Sequence, residues 1–283
     1  MIISIASGKG GTGKTTIATN LALSVEKAVF LDCDVEEPNA HLFLKPKIIE
    51  RESVKIPVPE VDKSRCSLCG KCAEICQFKA IVVIGETLLT FHELCHGCGG
   101  CTRICPEKAV IEVEKEIGVI EKGYKDSIDF IHGRLNIGEP MSPPIIRKVR
   151  RYENKKKTTI IDAPPGTSCP VIASIKGADF VLLVTEPTPF GMHDLELAVG
   201  AVKMLGIPCG LVINRSDIGD DKVKRYAQEE NIPILMEIPF DKRVAESYSK
   251  GVPLVEMMPE WRKDFLELYN KIEEVINERV GSN

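Results

Sequence analysis

Gly8-Lys9-Gly10-Gly11-Thr12-Gly13-Lys14-Thr15-Thr16 is the stretch on which the fold turns. Ile2-Ile3-Ser4-Ile5-Ala6 before it is a short apolar run that reads as a buried strand. After it, Ile17, Leu21 and Val25 recur at helical spacing. A glycine-rich turn between a strand and a helix lets backbone N–H groups and the helix N-terminus face bound phosphate. Gly8, Gly10, Gly11, Thr12, Gly13 and Thr16 are the expected cradle. Lys14 is expected to reach the phosphates and the Thr15 hydroxyl to hold Mg²⁺.

Outward from this loop the chain alternates strand and helix. Strands are expected at Ala28–Leu31, Ser127–Ile131, Thr158–Ile161, Phe180–Thr185, Gly210–Ile213 and Ile234–Ile238. Helices are expected near 143–153, 192–205, 221–230, 241–249 and 260–280. Alternating βα units imply an α/β fold with a mostly parallel sheet covered by helices, and with the glycine loop this reads as a P-loop NTPase fold.

The alternation breaks at residues 46–64, which hold Pro46, Pro57 and Pro59, mixed charge and no helical period, so a domain boundary is expected there. An internal repeat follows. Cys66, Cys69, Cys72 and Cys76 stand at C-x2-C-x2-C-x3-C, and Cys95, Cys98, Cys101 and Cys105 repeat the spacing 29 residues on. Each copy leads into a β-branched stretch, Ile81–Ile84 and Val110–Val113. In a chain without secretion signals such clustering points to metal rather than disulfides. The doubled spacing resembles two-cluster bacterial ferredoxins. That resemblance implies a small α+β domain with two [4Fe–4S] clusters and crossed ligands. Cys66, Cys69, Cys72 and Cys105 would hold one cluster, and Cys95, Cys98, Cys101 and Cys76 the other. Gln77 follows Cys76 where the pattern has proline. Zinc is the alternative guest, since all-cysteine zinc sites also use C-x2-C pairs. So short a domain has little apolar core, and is expected to collapse without iron. The expected organisation is an ATPase part over 1–56, the insert over 57–115 and a second ATPase part over 116–283.

Composition excludes several classes. The 283 residues are 43% hydrophobic and 28% charged, ordinary for a globular chain and unlike disorder or a coiled coil. A net charge of −4 disfavours a sequence-independent nucleic-acid binder, so no nucleic-acid partner is expected. No apolar run reaches the roughly 18–20 residues of a membrane span. The start runs straight into glycines, unlike a signal peptide. A cytoplasmic protein without membrane contact is expected.

With Lys9 early in the loop, residues 8–16 resemble the deviant Walker A loop of the MinD/ParA/nitrogenase-iron-protein class of ATPases. The resemblance implies ATP and Mg²⁺ as cofactors and an ATP-dependent homodimer in which Lys9 reaches the partner's nucleotide. Asp32-Cys33-Asp34 corresponds to the first switch, with Asp34 positioning or activating the attacking water. The departure Val35-Glu36-Glu37 leaves open which of Asp34, Glu36 or Glu37 assists. Thr158-Thr159-Ile160-Ile161-Asp162-Ala163-Pro164-Pro165-Gly166 resembles the Walker B and second-switch segment, with Asp162 at the Mg²⁺ shell and Gly166 near the γ-phosphate. Asn214 and the Pro239-Phe240-Asp241 stretch resemble the two late segments that hold the adenine.

Other features carry less. Cys169 lies near the position of the iron protein's intersubunit cluster ligand, but no second such cysteine is evident. Cys33 and Cys209 read as core thiols, and the five histidines share no ligand spacing, although His92 and His96 lie beside the second cysteine run. Trp261, Phe265, Leu268, Ile272, Val275 and Ile276 form one stripe of a C-terminal helix expected to pack on the ATPase body. The ordered expectations for function are an ATP-gated electron carrier, an ATPase of iron–sulfur cluster assembly or transfer, and a positioning ATPase. The redox or apoprotein partner has no motif. No cysteine follows Cys209, unlike the C-terminal Cys-x-x-Cys of the related scaffold ATPases.

Overall fold

Ile2–Ala6 is buried along its whole length because it lies inside a sheet, with helices against both faces. The computed structural model describes residues 1–281. In chain order the elements are β1 (Ile2–Ala6), α1 (Lys14–Ser24), β2 (Ala28–Asp32), α2 (Ala40–Leu44), β3 (Lys47–Val61), α3 (Lys71–Ile75), β4 (Ile81–Ile84), β5 (Thr87–Thr90), α4 (Gly100–Ile104), β6 (Val110–Lys125), β7 (Ile128–Leu135) and α5 (Pro143–Val149). They continue as β8 (Thr158–Asp162), α6 (Cys169–Ile175), β9 (Phe180–Thr185), α7 (Pro189–Met204), β10 (Cys209–Asn214), α8 (Lys222–Glu229), β11 (Ile234–Ile238), α9 (Lys242–Ser249), α10 (Leu254–Met257) and α11 (Trp261–Gly281).

Nine strands form one sheet in the order β11-β10-β9-β1-β8-β2-β7-β6-β3. From β11 to β7 neighbours run parallel, and β6 and β3 add an antiparallel ribbon at one edge. The period-two pattern of each strand splits its side chains between faces. Ile3, Ile5 and Phe30 pack with α1, α2, α10 and α11. Ala6, Val181 and Leu183 pack with α6, α7 and α8 on the other face. Phe265, Leu268 and Ile272 of α11 are buried in the first of these cores, as the C-terminal stripe leads one to expect. Among the described residues no helix is long and apolar enough to cross a membrane.

The strands and helices expected of the α/β frame are all present, with ends moved by a few residues. The 46–64 stretch differs. It is a strand of 15 residues, antiparallel to the 16-residue β6. Prolines obscured it, but β3 is the sheet's last strand, where an N–H facing outward need not be donated. The mixed charge has a cross-strand partner ladder: Lys55 with Glu114 at 2.8 Å, Lys122 with Glu50 at 2.8 Å and Ser53 with Glu116 at 2.6 Å. Alternation survives beneath it, with Val54, Ile56 and Val58 buried.

The ribbon carries the cysteine lobe at its far end. Ile56 pairs with Lys115 and Pro57 with Glu114, so the expected boundaries cut both strands at one level rather than in a loop. Beyond Val61 come α3, the β4–β5 hairpin and α4. The backbone repeats as the sequence does. Left-handed positions occur at Leu68 and Gly97, Gly70 and Gly99, and Lys79 and Lys108, each pair 29 residues apart. The lobe's own core is Cys72, Ile81 and Val110, joined by half-buried Val61, Cys76, Leu88, Cys101 and Cys105. Half of that small core is cysteine.

Candidate functional site

β1 ends at Ala6 and α1 begins at Lys14, so the glycine loop closes over the end of an interior strand, between β9 and β8. Gly11 and Gly13 take φ of 79° and 97°, conformations in which a side chain would be strained. The loop borders a cavity of about 470 Å³. Of the residues expected there, Gly10, Gly11, Gly13, Lys14, Thr15, Thr16, Asp34, Asn214, Pro239 and Asp241 line it. Gly8, Lys9, Thr12, Asp162 and Gly166 do not line it.

Each of those five has a visible task. A Cβ on Gly8 would fall 2.0 Å from the Asp194 carbonyl oxygen, so this glycine admits α7 against the loop. Thr12 offers its carbonyl to Asn214 Nδ2 at 2.9 Å. Gly166, with φ of 98°, donates its N–H to the Ser7 carbonyl at 3.0 Å, fastening the segment after β8 to the loop. Lys9 Nζ lies 2.7 Å from Glu186 Oε1, while Arg215 holds the other Glu186 oxygen at 3.2 Å. Asp162 is fully buried and neither carboxylate oxygen has a hydrogen-bond partner.

Electrostatics marks the centre. Burial lowers the Lys14 ammonium pKa, and Asp162 and Asp34 offset this in part. Burial raises the Asp34 carboxyl to about 6 against the pull of Lys14. Burial also raises Asp162, Asp34 adds to this, and Thr15 and Lys14 oppose it. A buried carboxylate with no hydrogen-bond partner, beside a lysine and a threonine, is suited to a cation. The donor set therefore fits Mg²⁺, with Thr15 and Asp162 as the residues able to hold it and its waters.

Asp32 plays a part the sequence did not reveal. It is fully buried, and its two oxygens accept from the Asp34 and Ala40 N–H groups, both at 3.1 Å. It thus ties down the loop from Cys33 to Asn39. Glu37, Asn39, Arg215, Phe240 and Tyr248 also line the cavity. Of these, Glu37 is one of the acids left open for hydrolysis, and Phe240 lies in the stretch whose resemblance implied an adenine contact. The two expected adenine contacts are already engaged. Asn214 spends its amide on Thr12 and the Arg215 N–H. Asp241 accepts from the Arg243 N–H at 2.8 Å, capping α9.

In the lobe, the eight cysteines divide into two sets. Cys66, Cys69, Cys72 and Cys105 border one cavity. Cys76, Cys95, Cys98 and Cys101 border another. Each set takes three thiols from one copy of the repeat and the last from the other. Backbone N–H groups of Ala80, Gly97 and Ala109 approach the sulfurs of Cys76, Cys95 and Cys105 at 3.3, 3.4 and 3.2 Å. Such donors stabilise thiolate ligands, whereas a neutral thiol is a weak acceptor. The second cavity measures about 180 Å³, and the first only about 10 Å³. Among the described residues no three His, Cys, Asp or Glu side chains are grouped to hold a single metal ion. Zinc would need its sulfurs about 2.3 Å from one point. Four thiols around 180 Å³ suit a larger, polynuclear guest, and for the first set the fit rests on the repeated backbone. His96 borders the second cavity and stacks on Phe78, ring centroids 3.4 Å apart. His92 Nε2 meets the Pro59 carbonyl at 2.9 Å.

Two groupings were invisible in the sequence. His41 and His132 stack edge-on with centroids 5.3 Å apart, and His132 bonds Glu121 at 2.7 Å. Cys169 is exposed at the start of α6, and Arg147, Arg150, Arg151 and Lys176 share its groove.

Comparison with known proteins agrees with the geometry. The family model of the CobQ/CobB/MinD/ParA nucleotide binding domain matches residues 3–254. The chain is 32% identical to the Uncharacterized protein MJ0579 of Methanocaldococcus jannaschii, covering 98% of this chain and 97% of that one. It is 25% identical to an Iron-sulfur cluster carrier protein of Pyrococcus horikoshii, over 99% of this chain and 88% of the other. Its fold is similar to that of the septum site-determining protein MinD complexed with Mg-ADP from Pyrococcus horikoshii OT3. That likeness has a TM-score of 0.60 at 20% identity and covers 97% and 96% of the two chains. By its nucleotide loop, its sheet and a match spanning most of its length, the chain belongs to the CobQ/CobB/MinD/ParA nucleotide-binding domain family.

Proposed function

We propose that this protein is a Mg²⁺-dependent ATPase whose inserted lobe, residues 57–115, is a two-cluster ferredoxin-like domain, and that ATP-driven dimer closure gates electron transfer. The observation that carries the proposal is the crossing of the cysteines: three thiols of one copy and the last of the other border each cavity. Bound [4Fe–4S] clusters would supply one-electron chemistry and much of the lobe's missing core. In the nucleotide site, Lys14 offsets phosphate charge, Gly10 to Gly13 present N–H groups, and Thr15 and Asp162 hold the cation's shell. Asp34, with its carboxyl raised to about 6, is suited to orient a water rather than to strip it of a proton unaided. Lys9 acts across a homodimer after leaving Glu186. Asn214, Pro239 and Asp241 form the floor under the base, with the Phe240 and Tyr248 rings beside them.

The Iron-sulfur cluster carrier name of the relatives at 24–25% identity favours a second reading, transfer of clusters to apoproteins. Anaerobic reconstitution separates the two. The first expects on the order of eight irons and eight sulfides per chain. It also expects reduced protein to reoxidise faster with MgATP than without. Iron and sulfide passing intact to an apoprotein would favour the carrier. One zinc per cysteine set would remove both.

A further inference from the structure

The two cysteine loops share a backbone but not their surroundings. In the second loop, a Cβ on Gly97 would lie 3.2 Å from the Pro57 carbonyl oxygen, and one on Gly99 would lie 2.8 Å from Glu112 Oε1. Both neighbours belong to the β3–β6 ribbon. His92, just ahead of this loop, reaches the Pro59 carbonyl on β3. A carbonyl only accepts, so Nε2 carries the proton and donates. The equivalent positions in the first loop are free: Gly70 has nothing within 4 Å, and Leu68 is 37% exposed. The second loop is therefore seated on the ribbon through its own backbone, whereas the first set meets the ribbon only at its last residue pair, where Cys72 packs with Val61 and Val110.

The ribbon leads to the nucleotide site. β6 pairs with β7 and β7 with β2, the strand that ends at Asp32. Val35, next to Asp34, accepts the Leu135 N–H at 2.8 Å where β7 ends. Val35, Ile117, Ile56 and Val58 belong to one buried apolar cluster, and Cys95 packs against it. No cysteine of the first set does. Close-packed interiors transmit displacement rather than absorb it.

We infer that the two cysteine sites are unequal: the site of Cys76, Cys95, Cys98 and Cys101 is the nucleotide-responsive one, with His92 as its positioning residue, and the site of Cys66, Cys69, Cys72 and Cys105 is not. This rests on the proposed ATPase–ferredoxin reading. A change in the loop around Asp34 moves Val35, the apolar cluster moves with it, and the wall made by Pro57, Val58 and Pro59 shifts against the second loop. The ribbon residues that the first set meets, Val61 and Val110, lie outside that apolar cluster.

Hydrogen exchange read by mass spectrometry on the full, cluster-loaded chain tests the inference. Adding MgATP in a slowly hydrolysed form should change exchange in residues 92–101 on the order of fivefold, within the usual range of coupling between sites. Residues 66–75 should remain unchanged. His92→Ala should lose most of the effect without changing nucleotide affinity, and His92→Gln, which keeps a donor, should restore it. Equal change in both loops, change in the first alone, or none in either overturns the inference. Iron and sulfide content and calorimetric nucleotide binding of the wild type are measured beforehand. Failure there removes the reading beneath, whereas failure of the exchange pattern in a protein that passes both removes only this step.

Discussion

Glu186→Gln asks whether Lys9 is withheld from a partner in the resting chain. Lys9 Nζ sits 2.7 Å from a carboxylate that is only 10% exposed, with Arg215 on its other oxygen. To act in trans the lysine must leave. A charge-assisted hydrogen bond contributes about 1.5–3 kcal/mol, and a neutral one about 0.5–1.5. Lys9 is 28% exposed and Arg215 continues to share the carboxylate, so the lower end applies. Glutamine keeps the shape and a neutral acceptor, so the change lowers the release cost by about 1 kcal/mol per lysine. A symmetric dimer releases two, for about 2 kcal/mol. At 1.4 kcal/mol per decade the dimer should tighten roughly 30-fold. Sedimentation equilibrium with a slowly hydrolysed ATP analogue reads this directly, with the ADP-bound protein as control. An ATP-bound dimer no tighter than wild type would refute the reasoning, because Lys9 would then remain on Glu186 or have no work across the interface.

Three further outcomes are expected. Asp34 is raised from 3.8 to about 6, so its contribution to the stability of the nucleotide-free protein is complete below pH 3.8 and lost as pH rises through about 6. Magnesium held by Thr15 and Asp162 needs the Asp162 carboxylate charged, and burial raises that group too, so the thermal shift given by MgATP should grow as pH rises toward neutrality; a shift independent of pH counts against Asp162 in the cation's shell. Gly8→Ala drives a methyl into the Asp194 backbone and should destabilise by about 1–3 kcal/mol in urea melts, whereas Gly10→Ala meets nothing within 4 Å and should change stability little. Cys105→Ala should damage the cluster held by Cys66, Cys69 and Cys72, leaving a three-iron species visible by electron paramagnetic resonance, and should spare the other; a defect at the second set would mean that each run ligates its own metal.

The sheet was legible because its strands are buried on both faces and read as plain apolar runs, such as Phe180 to Thr185. The loop of Gly8 to Thr16 announced its own position. What stayed hidden depends on partners distant in sequence. β3 looked like a linker because its charges face β6, 59 and 63 residues away at Lys55 and Ser53. Asp32 looked like a strand end, since its acceptors' donors, Asp34 and Ala40, are organised only once the loop folds back. His41 and His132 carry no shared spacing because α2 and β7 meet only in three dimensions. Asn214 was singled out as an adenine contact by resemblance, yet its engagement with Thr12 needs a contact 202 residues away.

The paired entry and exit of the lobe bears on how such a chain can arise. Ile56 and Lys115 face one another across an antiparallel ladder, which is the geometry a short hairpin turn closes. A gene that acquired or lost everything between them would leave the rest of the sheet its register. The lobe thus stands where a hairpin turn would fit. A shortened chain, closed there by Asn-Gly, should keep the ladder's register and serve as a stand-alone nucleotide-binding unit.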